Sequence, residues 1–176
     1  MTDTEQTLLP ARLVDAARRV VEANLAAGRR ITVAESCTGG LVSAALTEIP
    51  GSSAVFEAGF VTYGDLAKVD LLGVSSDVVE TFGAVSIAVG WAMARGALAN
   101  SRADVAVAIT GIAGPDGGST KKPVGTVVFA RADKDSDPDE VTADMRQFGD
   151  LGRAGIRLQA ALCALDLLMP GVTLDP

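Results

Sequence analysis

The sequence predicts one α/β domain, a three-layer α/β/α sandwich around a mixed sheet. Segments with helical spacing of apolar residues alternate with short β-rich segments along the chain. One β-rich segment, residues 105–109, is a continuous apolar run typical of a strand that is buried on both faces. The length of 176 residues fits a single domain over residues 1–176, in which residues 171–176 are expected to form a frayed tail.

The first part of the chain predicts two strands, each preceded by a helix. An amphipathic helix begins after Pro10 and stops at Gly28. A β-rich run over residues 31–34 leads through a tight turn into a helix over residues 38–49. An alternating, β-rich segment over residues 54–63 then predicts the second strand.

The middle of the chain is mostly helical. Two short helices are predicted over residues 65–72 and 75–82, and Ser86 is the candidate N-cap of a longer third helix. The buried strand 105–109 follows, and a Gly-rich loop over residues 110–123 comes directly after it.

The last part of the chain predicts a hairpin and a helix. A strand over residues 124–130 pairs antiparallel with a strand over residues 141–148, across an acidic, solvated loop. The final helix is predicted over residues 151–168, with Asp150 as its candidate N-cap.

Histidine is absent from the sequence, which excludes several classes of active site. There can be no Ser-His-Asp or Cys-His catalysis and no zinc site with histidine ligands. Cys37 and Cys163 are far apart and form no C-x-x-C pair, so neither a disulfide framework nor a thiolate metal site is indicated. We therefore expect no metal and no cofactor. Proton transfer near neutral pH must use a lysine, carboxylate, tyrosine or cysteine.

The charge and the apolar pattern argue against two kinds of partner. The 22 acidic residues outnumber the 15 basic ones and give a net charge of -7, so we expect no nucleic-acid partner. No signal-peptide pattern opens the chain and no run of about 18 apolar residues occurs, so we expect no membrane partner. A soluble, cytoplasmic protein is the prediction.

The string Ala-Glu-Ser-Cys-Thr-Gly-Gly, between the first strand and the next helix, is the first candidate site. The N–H groups at a helix N-terminus can bind an anion or the oxyanion of an acyl-transfer intermediate. Ser36 and Cys37 are both candidate nucleophiles there, and Thr38, Gly39 and Gly40 would bring the backbone close to a substrate. Alternatively, Ser36 or Thr38 only caps the helix and Cys37 is a small buried apolar residue.

A second candidate site lies at the end of the second predicted strand. Tyr63 closes this strand, and Lys68 follows on the next helix, three and four residues before Leu71 and Leu72. Its stem is expected to run along apolar surface, and partial burial would favour the neutral amine, which can act as a base. The alternative is a surface lysine whose charged end reaches solvent.

The Gly-rich loop after the buried strand is the third candidate site, because a compact domain rarely keeps about twelve structureless residues without a function. The Thr110 hydroxyl and the backbone near Gly111 and Gly114 can meet a substrate. The spacing matches neither the P-loop nor the dinucleotide fingerprint. Arg153 and Arg157, near the start of the last helix, are suited to a phosphate, or are ordinary surface arginines.

Five strings of residues, in this order along the chain, resemble the CinA C-terminal domain family. They are Ala-Glu-Ser-Cys-Thr-Gly-Gly at 34–40, Phe-Val-Thr-Tyr at 60–63 with Lys68 five residues later, Gly-Ala-Val-Ser at 83–86, Gly-Ile-Ala-Gly-Pro-Asp-Gly-Gly at 111–118 and Lys-Pro-Val-Gly-Thr-Val at 122–127. Together they span nearly the whole chain, and their combination is highly specific although no single string is.

This resemblance implies a nicotinamide-nucleotide amidase. Such an enzyme hydrolyses the carboxamide of nicotinamide mononucleotide (NMN) to nicotinate mononucleotide and ammonia, with a Ser/Lys dyad and no metal. Ser36 matches the nucleophile and Lys68 the base, whereas Tyr63, Thr110 and the arginines of the last helix match positions near the site. NMN is thus the expected small-molecule partner, and a homo-oligomer is the expected assembly.

Two departures from the family pattern leave alternatives open. Ile87 stands where the family often has an acidic residue, and Gly64-Asp65 stands where it often has Ser-Asn. One alternative is a non-catalytic nucleotide-binding or assembly module of the same fold. Another is an amidase whose nucleophile is Cys37, since a thiolate at a helix N-terminus is well stabilised.

Overall fold

Five strands form one sheet between two layers of helices in the computed structural model, which describes residues 7–174. The elements in chain order are α1 (Ala11–Ala26), β1 (Ile31–Glu35), α2 (Leu41–Thr47), a short 3₁₀ turn (Ser52–Ala54), β2 (Phe56–Val61), α3 (Asp65–Leu72), α4 (Ser76–Phe82), α5 (Ile87–Ala99), β3 (Val105–Gly111), β4 (Thr126–Asp133), β5 (Ala143–Gln147) and α6 (Gly152–Leu167). The predicted three-layer α/β/α sandwich is confirmed.

The sheet is mixed, as the sequence predicted. Its strand order is β2-β1-β3-β4-β5, with β1 parallel to both β2 and β3, and with β4 antiparallel to β3 and to β5. Glu35, the last residue of β1, pairs with Val61 of β2 and Ile109 of β3. The three parallel strands therefore end side by side, and the three candidate stretches that follow them meet at one edge of the sheet.

The two faces of the sheet pack against helices in different ways. Strand β3 turns its larger side chains, Val105, Val107 and Ile109, toward the core under α1, α2 and α6. Its alanines face α5 on the other side, where a Cβ on Gly90 would lie only 2.8 Å from Val128 Cγ1. Small side chains on that face let α5 lie close to the sheet, which gives the strand ends a rigid support.

Helix α2 begins at Leu41 and not at residue 38 as predicted. Gly39 and Gly40 have φ values of 60° and 91°, in the left-handed region that favours glycine. The chain therefore makes a tight turn over residues 36–40 before the helix starts. We name residues 36–40 the nucleophile turn, after the two candidate nucleophiles Ser36 and Cys37 that it contains.

Of the two predicted N-caps, Ser86 is confirmed and Asp150 is wrong. Ser86 does cap α5, because its Oγ accepts a hydrogen bond of 3.3 Å from the Val89 amide. Asp150 does not cap α6: the residue before that helix is Leu151, and no side chain caps its first turn. Gly149 and Gly152 both have positive φ, and this looped backbone carries Asp150 away from the cap position.

The end of the described chain packs against the core. Leu174 is only 6% exposed and belongs to the apolar cluster under α1, α2 and α6. Residues 175 and 176, the end of the predicted frayed tail, lie outside the described residues. Between residues 7 and 174, no helix combines the length and the apolar character needed to cross a membrane.

Candidate functional site

A cleft of ≈ 210 Å³ lies where the three parallel strands end. It brings together residues from all three candidate stretches of the sequence. Its lining residues are Ser36, Cys37, Tyr63, Asp65, Lys68, Ala84, Val85, Thr110, Gly111, Ala113 and Arg153. The position of the cleft agrees with the general rule for α/β folds, in which ligands bind outside the carboxyl ends of parallel strands.

Ser36 is the first residue after β1 and presents its hydroxyl to the cleft. Its amide donates a 2.9 Å hydrogen bond to the Ile109 carbonyl, which fixes the start of the nucleophile turn to β3. Within residues 7–174, no protein group hydrogen-bonds the Ser36 hydroxyl, so the predicted alternative of a helix cap is wrong for this residue. Thr38 is no cap either, because its buried Oγ1 has no hydrogen-bond partner among the described residues.

The N-terminus of α2 is occupied by the side chain of Glu35, which is completely buried. One carboxylate oxygen accepts from the amides of Gly40 (3.0 Å) and Val42 (3.1 Å), and the other from the amide (2.8 Å) and hydroxyl (2.7 Å) of Ser43. The amides of Gly40, Val42 and Ser43 are therefore not available to a substrate. A carboxylate one turn earlier in the chain already satisfies them.

The Cys37 thiol is buried beside Ser36, at 4% exposure. The pKa of this thiol is raised to about 11, mainly by burial and in smaller part by the negative charge of Glu35. Hydrogen bonding from the amides of Cys37 and Thr38 and the charge of Arg157 lower the pKa of the thiol, but by less. The thiol is therefore protonated at neutral pH, which opposes the alternative in which Cys37 is the nucleophile.

Arg157 points at the nucleophile turn and not into the cleft. Its Nε donates to the Cys37 carbonyl (3.2 Å) and its Nη2 donates to the Thr38 carbonyl (2.9 Å). A Cβ on Gly39 would lie 3.5 Å from the same Nη2. The guanidinium group thus lies against the backbone of the turn, which makes it unsuited to the predicted contact with a substrate phosphate.

Lys68 is buried at 1% exposure, so the alternative of a surface lysine is wrong. Its side chain folds back over the first turn of α3. The amine donates to the carbonyls of Thr62 (3.1 Å), Tyr63 (3.3 Å) and Gly64 (3.5 Å), and lies 3.4 Å from Asp65 Oδ1. The amine is thus surrounded by oxygens, and the side chain, for which the sequence predicted partial burial, is almost completely buried.

Thr110 ends the buried strand β3 and is 1% exposed. Its hydroxyl donates a 2.8 Å hydrogen bond to the carbonyl of Ala84. Because a hydroxyl has one proton, Thr110 can offer only its lone pairs to a group in the cleft. Ala84 belongs to the Gly-Ala-Val-Ser string, to which the sequence analysis assigned no role at the site.

Arg153 joins three parts of the site. Its Nη1 donates to the carbonyl of Gly114 in the Gly-rich loop (2.7 Å), and its Nη2 donates to the hydroxyl of Tyr63 (2.8 Å). Lys122 ties the same loop to the end of α4 through a 3.0 Å hydrogen bond to the Phe82 carbonyl. The loop is therefore held at two points, one of them at the rim of the cleft.

A second cavity of ≈ 420 Å³ adjoins the cleft and shares Ala113 and Arg153 with it. Its other lining residues are Pro115, Pro123, Val124, Gln147, Gly149, Asp150 and Gly152. This larger cavity contains no candidate nucleophile and no lysine. It extends the site along the Gly-rich loop.

Seven of the twelve predicted site residues line the cleft, and the others are beside it. Thr38, Gly39, Gly40 and Arg157 build or support the nucleophile turn, and Gly114 supports Arg153. Sequence reasoning missed the capping role of Glu35, although this residue stands in the first candidate string. In the part of the chain that the structure describes, no cluster of three or more acidic or cysteine side chains is arranged to hold a metal ion.

The carboxylate of Glu35 is predicted to be essential to the stability of the turn. In Glu35→Gln, an amide N–H₂ group faces N–H donors, which should lower the free energy of unfolding by about 1–3 kcal/mol. The measurement is urea unfolding at pH 7. Glu22→Gln, on the exposed face of α1, is the matched control and should change stability by under about 0.5 kcal/mol. A loss at Glu35 no larger than that of the control would contradict the prediction.

Three comparisons place the chain among known proteins. The sequence model of the CinA C-terminal domain matches residues 14–171. A protein from Enterobacter agglomerans named nicotinamide-nucleotide amidohydrolase PncC is 54% identical over 140 residues, which cover 80% of this chain and 83% of the relative. The protein of that name from Escherichia coli (strain K12) is 52% identical over 132 residues, or 75% of this chain and 76% of the relative.

A solved structure confirms the likeness at the level of the fold. The crystal structure of the competence/damage inducible protein CihA from Agrobacterium tumefaciens superposes with a TM-score of 0.87 at 48% sequence identity. The superposition covers 93% of this chain and 97% of that chain. Together with the sequence matches over most of its length, this shows that the chain belongs to the CinA C-terminal domain family.

Proposed function

We propose that this protein hydrolyses the carboxamide of NMN to give nicotinate mononucleotide and ammonia. The observation that carries the proposal is the meeting of Ser36, Lys68 and Thr110, from three separate strand ends, in one cleft. An amidase needs a nucleophile and an acceptor for its proton, the roles proposed for Ser36 and Lys68, and it needs groups that orient the carboxamide, the role proposed for Thr110. The relatives named nicotinamide-nucleotide amidohydrolase supply the substrate class.

In the proposed reaction, Ser36 Oγ attacks the carboxamide carbon and its proton passes to the neutral amine of Lys68. The C–N bond then breaks, and the nitrogen takes this proton and leaves as ammonia, so that an ester to Ser36 remains. Water adds its oxygen to the ester carbon and gives one proton to the lysine. The C–O bond to Ser36 then breaks, and the released carboxylic acid loses its remaining proton to ammonia or solvent to give the carboxylate. Lysine returns that proton to Ser36 Oγ, which restores the enzyme.

Ser36 is preferred to Cys37 as the nucleophile because of their different surroundings. A thiol with a pKa of about 11 is a thiolate in only about one molecule in ten thousand at pH 7. The Ser36 hydroxyl has no protein hydrogen bond to break among residues 7–174. The serine hydroxyl can therefore turn toward a substrate carbon without breaking a hydrogen bond to these residues, whereas the thiol must first lose a tightly held proton.

The two cavities suggest how NMN would lie. At ≈ 210 Å³, the cleft is smaller than the roughly 300–1,000 Å³ of most ligand pockets, so it suits the pyridine carboxamide rather than the whole nucleotide. The ribose and phosphate would then extend into the adjoining cavity. Arg153 stands between the two, and its two hydrogen bonds leave three of the five guanidinium N–H groups for a phosphate. Thr110 would accept from the carboxamide N–H.

The first prediction of the proposed function tests whether Ser36 or Cys37 is the nucleophile. Ser36→Ala should lower kcat for ammonia release from NMN by at least about a thousandfold, because acyl-enzyme formation is lost while binding contacts remain. Cys37→Ala should lower kcat by a far smaller factor. The measurement is ammonia release by folded protein in EDTA, with NMN binding followed by calorimetry. A Cys37→Ala loss as large as that of Ser36→Ala would point to the thiol, and wild-type binding without ammonia release would select a non-catalytic module.

The second prediction tests whether Lys68 is a base or only a charge. Arginine keeps a cation but does not lose its proton at working pH, so Lys68→Arg should be nearly as inactive as Lys68→Met. The measurement is kcat/KM for NMN, with circular dichroism to verify folding. If Lys68→Arg keeps more than roughly a tenth of the wild-type rate, the lysine holds a charge and the base is another group, such as Asp65 or Tyr63.

The third prediction concerns the phosphate. Nicotinamide riboside lacks the dianion, so its kcat/KM should be lower than that of NMN by about tenfold to a hundredfold, the value of a charge-assisted hydrogen bond. Arg153→Met should raise KM for NMN by a similar factor and leave the riboside almost unchanged. If Arg153→Met lowered kcat/KM equally for NMN and the riboside, Arg153 would not be the residue that binds the phosphate.

A further inference from the structure

Two backbone amides of the nucleophile turn are uncommitted. Of its five amides, that of Ser36 donates to Ile109, that of Gly39 donates to the Ser36 carbonyl (3.0 Å), and that of Gly40 donates to Glu35. In the described chain, the amides of Cys37 and Thr38 donate to no oxygen. Buried or half-buried amides are rarely left in this state without a partner or a ligand.

Both amides lie close to the Cys37 sulfur. Their hydrogen bonding lowers the pKa of the thiol, which requires that they lie close to Sγ. Cys37 lines the cleft directly beside Ser36. Because a protonated thiol is a weak acceptor, the two amides keep their capacity to bind an oxygen anion in the cleft.

Arg157 holds the opposite side of the same backbone. The peptide group is planar, and in a trans peptide the C=O and N–H bonds point in opposite directions. The hydrogen bond from Arg157 to the Cys37 carbonyl therefore fixes the direction of the Thr38 N–H. The second hydrogen bond, to the Thr38 carbonyl, likewise fixes the Gly39 N–H, which donates to the Ser36 carbonyl. That carbonyl shares a peptide group with the Cys37 N–H, so Arg157 fixes the Cys37 amide only indirectly, through this bond.

We propose that Arg157 is a positioning residue, which holds the amides of Cys37 and Thr38 toward the cleft as the oxyanion hole for attack by Ser36. The inference rests on the proposed amidase function. In this role the arginine touches no substrate, since it contacts the face of the turn away from the cleft. A planar guanidinium with two parallel donors reaches both carbonyls at once, which a lysine cannot reproduce.

The positive charge of Arg157 would stabilise the oxyanion, as would the amide alignment that its hydrogen bonds produce. The oxyanion forms only along the reaction path, so donors that are aligned in advance lower the barrier without tightening substrate binding. A cation across the turn favours negative charge at the amides, as it does for the neighbouring thiolate. Loss of Arg157 should therefore appear in kcat and not in KM.

The test compares Arg157→Met and Arg157→Lys with Arg153→Met, which is one helical turn earlier on α6. Arg157→Met should lower kcat for NMN by about a hundredfold to a thousandfold, the loss expected for an oxyanion donor, with KM changed by less than about threefold. Arg157→Lys, which can keep one of the two bonds, should recover part of the rate. Arg153→Met should show the reverse, with a higher KM and a similar kcat.

A second measurement needs no substrate. In ¹H–¹⁵N spectra of the free protein, Arg157→Met should shift the Cys37 and Thr38 amides and speed hydrogen exchange at the Gly39 amide by at least about tenfold, whereas Arg153→Met should not. An unchanged kcat in Arg157→Met, a loss confined to KM, or unchanged amides would overturn the positioning role. If the wild-type protein releases no ammonia from NMN, the proposed function fails, and the amide spectra alone decide whether Arg157 holds the turn.

Discussion

The buried carboxylate of Glu35 is the constraint on which the site depends. An isolated charge in an apolar interior costs several kcal/mol, so it must be met by hydrogen-bond donors. The donors come from residues 40–43, directly after it in the chain. The backbone must therefore double back within four residues, which explains the two glycines with positive φ and places Ser36 at the outer side of the turn.

Lys68 organises the second loop as Glu35 organises the first, but it gathers hydrogen-bond acceptors where Glu35 gathers donors. The carboxylate gathers N–H groups at the start of α2, and the amine gathers C=O groups between β2 and α3. Each loop at the strand ends is thus organised around one buried ionisable side chain. Lys68 lines the cleft, with Asp65 Oδ1 3.4 Å from its amine, whereas Glu35 does not line the cleft.

Much of the fold followed from local patterns, but the partners of the polar groups did not. The alternation of helical and strand segments predicted the layers, and the family resemblance implied that Ser36, Lys68 and Thr110 would share one site. The string around Ser36 also predicted a helix N-terminus, yet not that Glu35 would occupy it, because a carboxylate there fits a cap, a base or a metal ligand equally well. The contacts of Arg153 with Tyr63 and of Arg157 with the Cys37 carbonyl join residues 90 and 120 positions apart, which periodicity does not encode.

The two hydrogen bonds that hold the Gly-rich loop reduce the conformational entropy that is lost when a ligand binds. A glycine-rich segment that is free in solution loses about 1–2 kcal/mol of conformational entropy for each residue that becomes ordered. Here the Arg153 contact at Gly114 and the Lys122 contact at Phe82 hold the segment before any ligand arrives. Most of that entropy is already lost on folding, so the wall of the larger cavity is preorganised. The interactions made by a bound molecule are then not offset by the cost of ordering the loop, and binding is tighter.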